Sequence, residues 1–122
     1  MKTVLYIEDN PVNIALVKAI LAPRADIRLT FAIDGATGLA QVEADRPDLI
    51  LLDLRLPDMP GDELVRRLRE RPTLADIPII AISGDTLSEQ RQRMKDLAIA
   101  DFIPKPFDID EFERVVNRYL AS

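Results

Sequence analysis

The chain of 122 residues contains no cysteine and no histidine, and it has only four glycines. Without cysteine there are no disulfides and no thiolate sites, although reducing compartments permit cysteine without requiring it, so its absence does not locate the protein. Without histidine there is no imidazole ligand and no histidine-based triad, which leaves oxygen donors to hold any cation. Few glycines, 48% apolar residues and 30% charged residues fit neither a disordered nor a fibrous chain. No long apolar run opens the sequence: MKTVLYIE meets Glu8 and Asp9 at once, so neither a signal peptide nor a membrane-inserted helix is expected there, and a cytoplasmic location is the default. Positive charge is also scarce, with 16 Lys and Arg against 21 Asp and Glu and a net charge of −5, so direct nucleic-acid binding is not expected and phosphate chemistry would need a local cation.

At this length a single domain over residues 1–122 is expected, burying roughly two-thirds of its unfolded surface. Strand-length apolar runs recur at Thr3–Glu8, Ile27–Ala32, Asp48–Leu52, Ile77–Ile82 and, more weakly, Asp101–Ile103. Between them the apolar residues fall at three- and four-residue steps over Pro11–Leu21, Gly35–Ala44, Asp62–Glu70, Leu87–Leu97 and Asp108–Leu120, the spacing of an amphipathic helix. Asn10 before Pro11, and Asp34, Ser88 and Asp108, are candidate helix caps. Alternating strand and helix predicts a parallel sheet covered on both faces, and the near-continuous runs LILL (Leu49–Leu52) and PIIAI (Pro78–Ile82) read as its central strands. Five such units in one small α/β domain are expected.

In an open parallel sheet the site lies beyond the carboxyl ends of the strands, where strand order reverses. The residues expected there are Glu8, Asp9 and Asn10 after the first strand, Asp53 after the third, Ser83, Gly84 and Asp85 after the fourth, and Lys105 between Pro104 and Pro106 after the fifth. Three carboxylates on one sheet edge repel one another by about 1–4 kcal/mol per pair at about 4 Å, which calls for a cation. Oxygen-only donors with room for water and phosphate favour Mg²⁺ over a caged Ca²⁺, with Mn²⁺ as a substitute. Each residue also has an ordinary explanation: Glu8 and Asp9 as acids near a helix start, Ser83 as a cap, Gly84 as a turn residue and Lys105 as a turn lysine. Asp53 follows four consecutive apolar residues at the mouth of the core, and its co-location with the others weakens those explanations.

EDN at Glu8–Asn10, LLDLRLPDMPG at Leu51–Gly61, ISG at Ile82–Gly84 and FIPKPF at Phe102–Phe107 together resemble the receiver domain of response regulators over nearly the whole chain. That resemblance implies a flavodoxin-like (βα)5 three-layer sandwich with sheet order 2-1-3-4-5. It also implies Mg²⁺-dependent phosphoryl transfer to Asp53 from a phosphohistidine on a histidine kinase or a histidine phosphotransfer protein. Asp9 and Asp53 would bind the metal directly, Glu8 mainly through water, and the main-chain carbonyl of Arg55 would be a further ligand. Lys105 would pair with the phosphoryl oxygens, and Ser83, beside Gly84, would hydrogen-bond them. Phe102 would turn inward behind Ser83 and reshape the face of the fourth helix, fifth strand and fifth helix, where a downstream protein binds. Such a chain is a phosphoacceptor with Mg²⁺-dependent loss of its phosphoryl group, not a turnover enzyme, and with no histidine it carries no phospho-donor of its own.

The alternative is a phosphorylation-independent module of the same fold, against which the intact set of Asp53, Lys105 and Ser83 weighs. Toprim-type centres and haloacid-dehalogenase-type phosphatases need a DxD pair where this chain has Asp53-Leu54-Arg55. Flavin binding needs a hydroxyl- and glycine-rich loop where EDNP stands, and the P-loop motif is missing. The opening LYIEDNPVN resembles hybrid-kinase and single-domain receivers more than those of transcription factors. Departures from the family pattern are Glu8 for a common Asp, Phe102 for a frequent Tyr, and Ala98-Ile99 where Gly-Ala is frequent, which predicts a stiffer or longer exit from the fourth helix. Arg55 and Asp85 flank the site with opposite charges. They are expected to set how long a phosphoryl group persists on Asp53, so the Arg55→Ala, Asp85→Ala double variant should lose acid-labile label at an altered rate, and an unchanged decay rejects that role.

Overall fold

The structure is a computed structural model that describes residues 1–84 and 87–120, leaving aside the side chains of Leu87, Gln90 and Met94. Among the described residues, β1 (Lys2–Ile7), β2 (Ile27–Ala32), β3 (Leu49–Asp53), β4 (Ile79–Ser83) and β5 (Asp101–Pro104) form one parallel sheet in the order β2-β1-β3-β4-β5. The connecting helices are α1 (Pro11–Leu21), α2 (Gly35–Ala44), α3 (Gly61–Arg69), α4 (Leu87–Leu97) and α5 (Ile109–Leu120). This is the flavodoxin-like sandwich expected from the resemblance.

Side chains alternate across each strand, and the alternation divides the core into two layers. Leu5, Ile7, Ile50, Leu52, Ile79 and Ala81 pack against Val42 of α2, Leu64, Val65 and Leu68 of α3 and Leu97 of α4. Val4, Tyr6, Leu49, Leu51, Ile80 and Ile82 pack against Val17 and Ile20 of α1 and Phe112, Val115 and Val116 of α5. The central strands β3 and β4 are buried along their whole length, which is why their sequences are near-continuous apolar runs.

Three candidate caps hold. Asn10 Oδ1 accepts from the Val12 and Asn13 N–H groups, Asp34 Oδ1 from Thr37, and Asp108 Oδ1 from Asp110 and Glu111. Ser88 lies inside α4, one residue past its start, and not before it. Asp85 lies outside the described residues. Strand ends differ from expectation by one or two residues: β1 stops at Ile7, β3 takes in Asp53, β4 runs from Ile79 to Ser83, and β5 extends to Pro104. The late start of β4 has a local cause, because the Ile77 N–H is taken by a turn to the Leu74 carbonyl and Pro78 has no N–H to give. α3 begins at Gly61, whose N–H donates to the Leu54 carbonyl. A Cβ at this position would stand 2.7 Å from Leu54 Cα, so only glycine lets the loop after Asp53 fold back so tightly.

α4 ends at Leu97 as expected, but Ala98 after it takes φ 55°, the left-handed region that glycine occupies without penalty. Its carbonyl is held by Arg69 Nη2 at 2.9 Å, while Arg69 Nη1 donates to the carbonyls of Ala75 and Ile77 at 2.7 and 2.9 Å. One half-buried guanidinium thus ties the α3–β4 loop to the exit from α4. Relieving the left-handed alanine while conceding some unfolded-state entropy, Ala98→Gly should stabilise the fold by about 1 kcal/mol. A denaturant midpoint that is unchanged or lower would contradict this.

Candidate functional site

β1 and β3 are neighbours in the sheet although α1, β2 and α2 separate them in sequence, so their carboxyl ends open on the crevice where strand order reverses. Ile7 pairs with Leu52, which brings Glu8 and Asp9 beside Asp53. One carboxylate oxygen from each of Glu8, Asp9 and Asp53 lies within 4.8 Å of the others. Glu8 is fully buried, Asp53 is 5% exposed, and Asp9 faces solvent.

Both oxygens of Asp53 are held. Oδ1 accepts from the Arg55 N–H at 2.9 Å, and Oδ2 accepts from Lys105 Nζ at 2.9 Å. The Lys105 ammonium also lies 3.6 Å from Glu8 Oε1. Its position follows from the β4–β5 ladder, where Ser83 pairs with Pro104 and the Lys105 N–H donates to the Ser83 carbonyl at 3.0 Å. The Lys105–Pro106 peptide is cis. Asp53, Arg55, Ser83, Gly84, Arg93 and Lys105 line one cleft of about 360 Å³. Among the described residues no heavy atom beyond its chain neighbours lies within 4 Å of where a Gly84 Cβ would stand. Above it Arg93 of α4 pairs with Asp62 of α3.

Glu8 is held differently. Its Oε1 accepts from the Tyr6 hydroxyl and from Asn13 Nδ2, each at 2.9 Å, whereas no donor among the described residues reaches its buried Oε2. Burial, and then the neighbouring Asp53 carboxylate, push the Glu8 carboxyl up to about 7, against the lowering effect of the Tyr6 and Asn13 donors. Burial works against ionisation of Asp53 too, yet the Glu8 carboxyl, the Arg55 N–H and the Lys105 ammonium together hold it below the ordinary carboxylate value. Burial and the Glu8 charge raise the Tyr6 phenol, which stays protonated and remains a donor.

With Glu8 ionised, three carboxylates against the Lys105 ammonium leave an excess of two negative charges, and the buried Glu8 Oε2, which no donor among the described residues reaches, faces the same imbalance. A hard divalent cation taking one oxygen from each of Glu8, Asp9 and Asp53 satisfies both conditions, so the residues present fit such an ion. The sequence-predicted residues Glu8, Asp9, Asp53, Ser83, Gly84 and Lys105 therefore meet at one edge of the sheet. Phe102, expected to turn inward, already stands buried in the layer that holds Leu97 and Ile99. Tyr6 and Asn13 were not foreseen as parts of the site. Tyr6 is the one residue with a polar tip in the otherwise aliphatic run VLYI, two positions before Glu8 and on the same strand face, and a buried phenol needs a partner.

Residues 4–117 match the family described as response regulator receiver domain. The chain is 32% identical over 118 residues to the sensor histidine kinase TmoS of Ectopseudomonas mendocina, covering 97% of this chain but only 12% of that protein. It is 28% identical over 121 residues to the polar-differentiation response regulator DivK of Brucella anthropi, covering 99% of this chain and 98% of that one. Among solved structures it is similar to the receiver domain of sensor histidine kinase PA1611 from Pseudomonas aeruginosa, which has magnesium coordinated in its active-site cleft. That match has a TM-score of 0.87 and 32% identity, and it covers 99% of this chain and 98% of that one.

A cation that engages Glu8 must displace the proton this carboxyl holds below about pH 7. The sign follows from the raised value: Mg²⁺ affinity should be steady above that pH and fall by up to about tenfold for each unit below it. Calorimetric titrations at about pH 8 and about pH 6 check this, and equal affinities at the two would show that Glu8 does not compete for protons at the metal.

Proposed function

The chain belongs to the receiver-domain family of response regulators, and from that premise we propose that it is a phosphoacceptor whose Asp53 takes a phosphoryl group from a phosphohistidine on a histidine kinase or a histidine phosphotransfer protein. The observation that carries the reading is the Asp53 carboxylate itself. It is almost buried, with its carboxyl held below the ordinary carboxylate value, bound on one oxygen by Lys105 Nζ at 2.9 Å and on the other by the Arg55 N–H at 2.9 Å, and it lines an open cleft.

Asp9 and Asp53 would hold Mg²⁺ or Mn²⁺ directly, with Glu8 acting mainly through water and the main-chain carbonyl of Arg55 as a further ligand. A bound Mg²⁺ supplies two positive charges against the nearly two negative charges that a phosphoryl group brings. An Asp53 oxygen attacks phosphorus in line, the phosphorus–nitrogen bond to the donor imidazole breaks, and the bond electrons leave with that ring. Little covalent chemistry falls to the protein beyond this, so its work is alignment and charge. Lys105 reaches Asp53 already and would follow the phosphoryl oxygens as they gain charge. The Ser83 hydroxyl and the backbone of Gly84 line the same cleft and would donate to those oxygens. Acceptance and Mg²⁺-dependent loss of the phosphoryl group make this a switch and not a turnover enzyme.

Output would pass through Ser83 and Phe102 to the face built by α4, β5 and α5, where a downstream protein binds. Phe102 sits one residue into β5, opposite Ala81 of β4, and its ring lies in the core layer that supports α4. A small change in the β4 end can therefore reach that face through one ring, provided the two arrangements differ by only a few kcal/mol. None of the described helices is long and apolar enough to cross a membrane.

Acetyl phosphate with Mg²⁺ should leave an acid-labile phosphoryl label on the wild-type chain, and Asp53→Asn should lose it completely. Equal labelling of the Asp53→Asn variant, or no label from small-molecule donors and from every candidate kinase, would remove the assignment.

A further inference from the structure

Glu8 carries the longer of the two acidic side chains, and one extra methylene gives its carboxylate freedom that a metal ligand cannot keep. The structure removes that freedom from one side only. Tyr6, fully buried in the layer between the sheet and α1 and α5, points its hydroxyl at Glu8 Oε1 from two residues upstream on the same strand face. Asn13, on the first turn of α1, donates to the same oxygen from the opposite direction along the chain. Two neutral donors thus occupy Oε1, with the Lys105 ammonium 3.6 Å away, while no donor among the described residues reaches the buried Oε2. A phenol placed only to fill the core would not need a carboxylate, and phenylalanine would pack the same space, as Phe112 does in the same layer. Outer groups that fix a ligand's rotamer commonly govern affinity at metal sites.

We propose that Tyr6 is a positioning residue for divalent-cation binding: with Asn13 it pins Glu8 Oε1 so that Oε2 is presented to the ion, or to its water, shared with Asp9 and Asp53. The inference rests on the receiver reading above and adds to it a residue, one layer behind the carboxylates, that acts only through Glu8. It further implies that the phenol senses the metal, because any charge arriving on Glu8 polarises the hydrogen bond from Tyr6.

The chain has two tyrosines, and Tyr119 lies elsewhere, its hydroxyl donating to Ala100 and Asp101, so tyrosine absorbance can be assigned by substitution. Mg²⁺ titrated into the whole chain should shift the near-ultraviolet tyrosine absorbance of the wild type and of Tyr119→Phe, and leave that of Tyr6→Phe unmoved. By calorimetry Tyr6→Phe should bind Mg²⁺ roughly tenfold more weakly, and in a Glu8→Gln background the same change should bring no further loss. Wild-type affinity in Tyr6→Phe, or the same loss with and without Glu8, overturns the proposal. Should Tyr6→Phe fail to fold, Asn13→Ala probes the same oxygen from α1, and an undiminished Mg²⁺ affinity there overturns it equally. A wild-type chain that takes up no Mg²⁺ defeats the receiver reading itself, an outcome distinct from wild-type binding that Tyr6→Phe leaves intact.

Discussion

Two carboxylates at the end of adjacent strands, one fully buried and the other nearly so, share a single ammonium. Lys105 reaches Asp53 at 2.9 Å and Glu8 at 3.6 Å, and its one charge cannot balance both acids and Asp9 beside them. At separations near 4.8 Å such a carboxylate pair repels by about 3 kcal/mol with an effective dielectric of 20. The imbalance is resolved unequally. Asp53 keeps its charge because it collects the Glu8 carboxyl, the Arg55 N–H and the ammonium at 2.9 Å, while Glu8, fully buried and beside Asp53, with the ammonium only at 3.6 Å, holds a proton more readily. One acid thereby keeps its charge, and the other is the one of the pair that takes up a proton more readily.

The rest of the fold serves to hold that pair apart from water yet open at one side. Parallel pairing of β1 with β3 sets Glu8 beside Asp53, and burial of β3 and β4 on both faces prevents either strand from sliding. The loop after Asp53 is pinned twice. Gly61 closes it on Leu54, and Asp58, accepting from the N–H groups of Gly35 and Ala36, fastens it to the start of α2, where those donors hold its carboxyl below the ordinary value. On the α4 side, Arg93 in the second half of the helix pairs with Asp62, Arg69 holds the carbonyl of Ala98 just past its end, and Leu97 joins the core layer.

Much of this was legible in the residue order because the site obeys a positional rule. Every candidate at a strand's carboxyl end among the described residues reached the same edge, and LILL and PIIAI became the buried central strands because doubly covered strands need no polar alternation. Asn10, Asp34 and Asp108 worked as caps because a short acceptor before a helical run has few other uses. What escaped was tertiary. Pro78 shortened β4 by withholding an N–H, a competition between turn and ladder that apolarity does not register. The left-handed Ala98 is stabilised by Arg69 from α3, 29 residues away in sequence, which no local propensity encodes. Tyr6 was read as one more apolar strand residue, since a phenol's carbon skeleton fits the pattern while its hydroxyl reports a neighbour that the pattern does not contain.

The cation and the hydroxyl that border the cleft are not independent parts. The Lys105 N–H donates to the Ser83 carbonyl at 3.0 Å, so the backbone that carries the ammonium hangs from the backbone that carries the serine. A displacement of the β4 end carries Ser83 and Lys105 together, and Phe102 opposite Ala81 lies in the same two-strand ladder. Lys105, which pairs with Asp53, is thus tied through its N–H to Ser83, in the ladder that also carries Phe102 and its ring in the core layer beneath α4. β4 is paired on its other edge by β3, whereas β5 lies at the border of the sheet. Sheet order, more than any single side chain, thus sets Asp53, Ser83, Phe102 and Lys105 on or just after three adjacent strands.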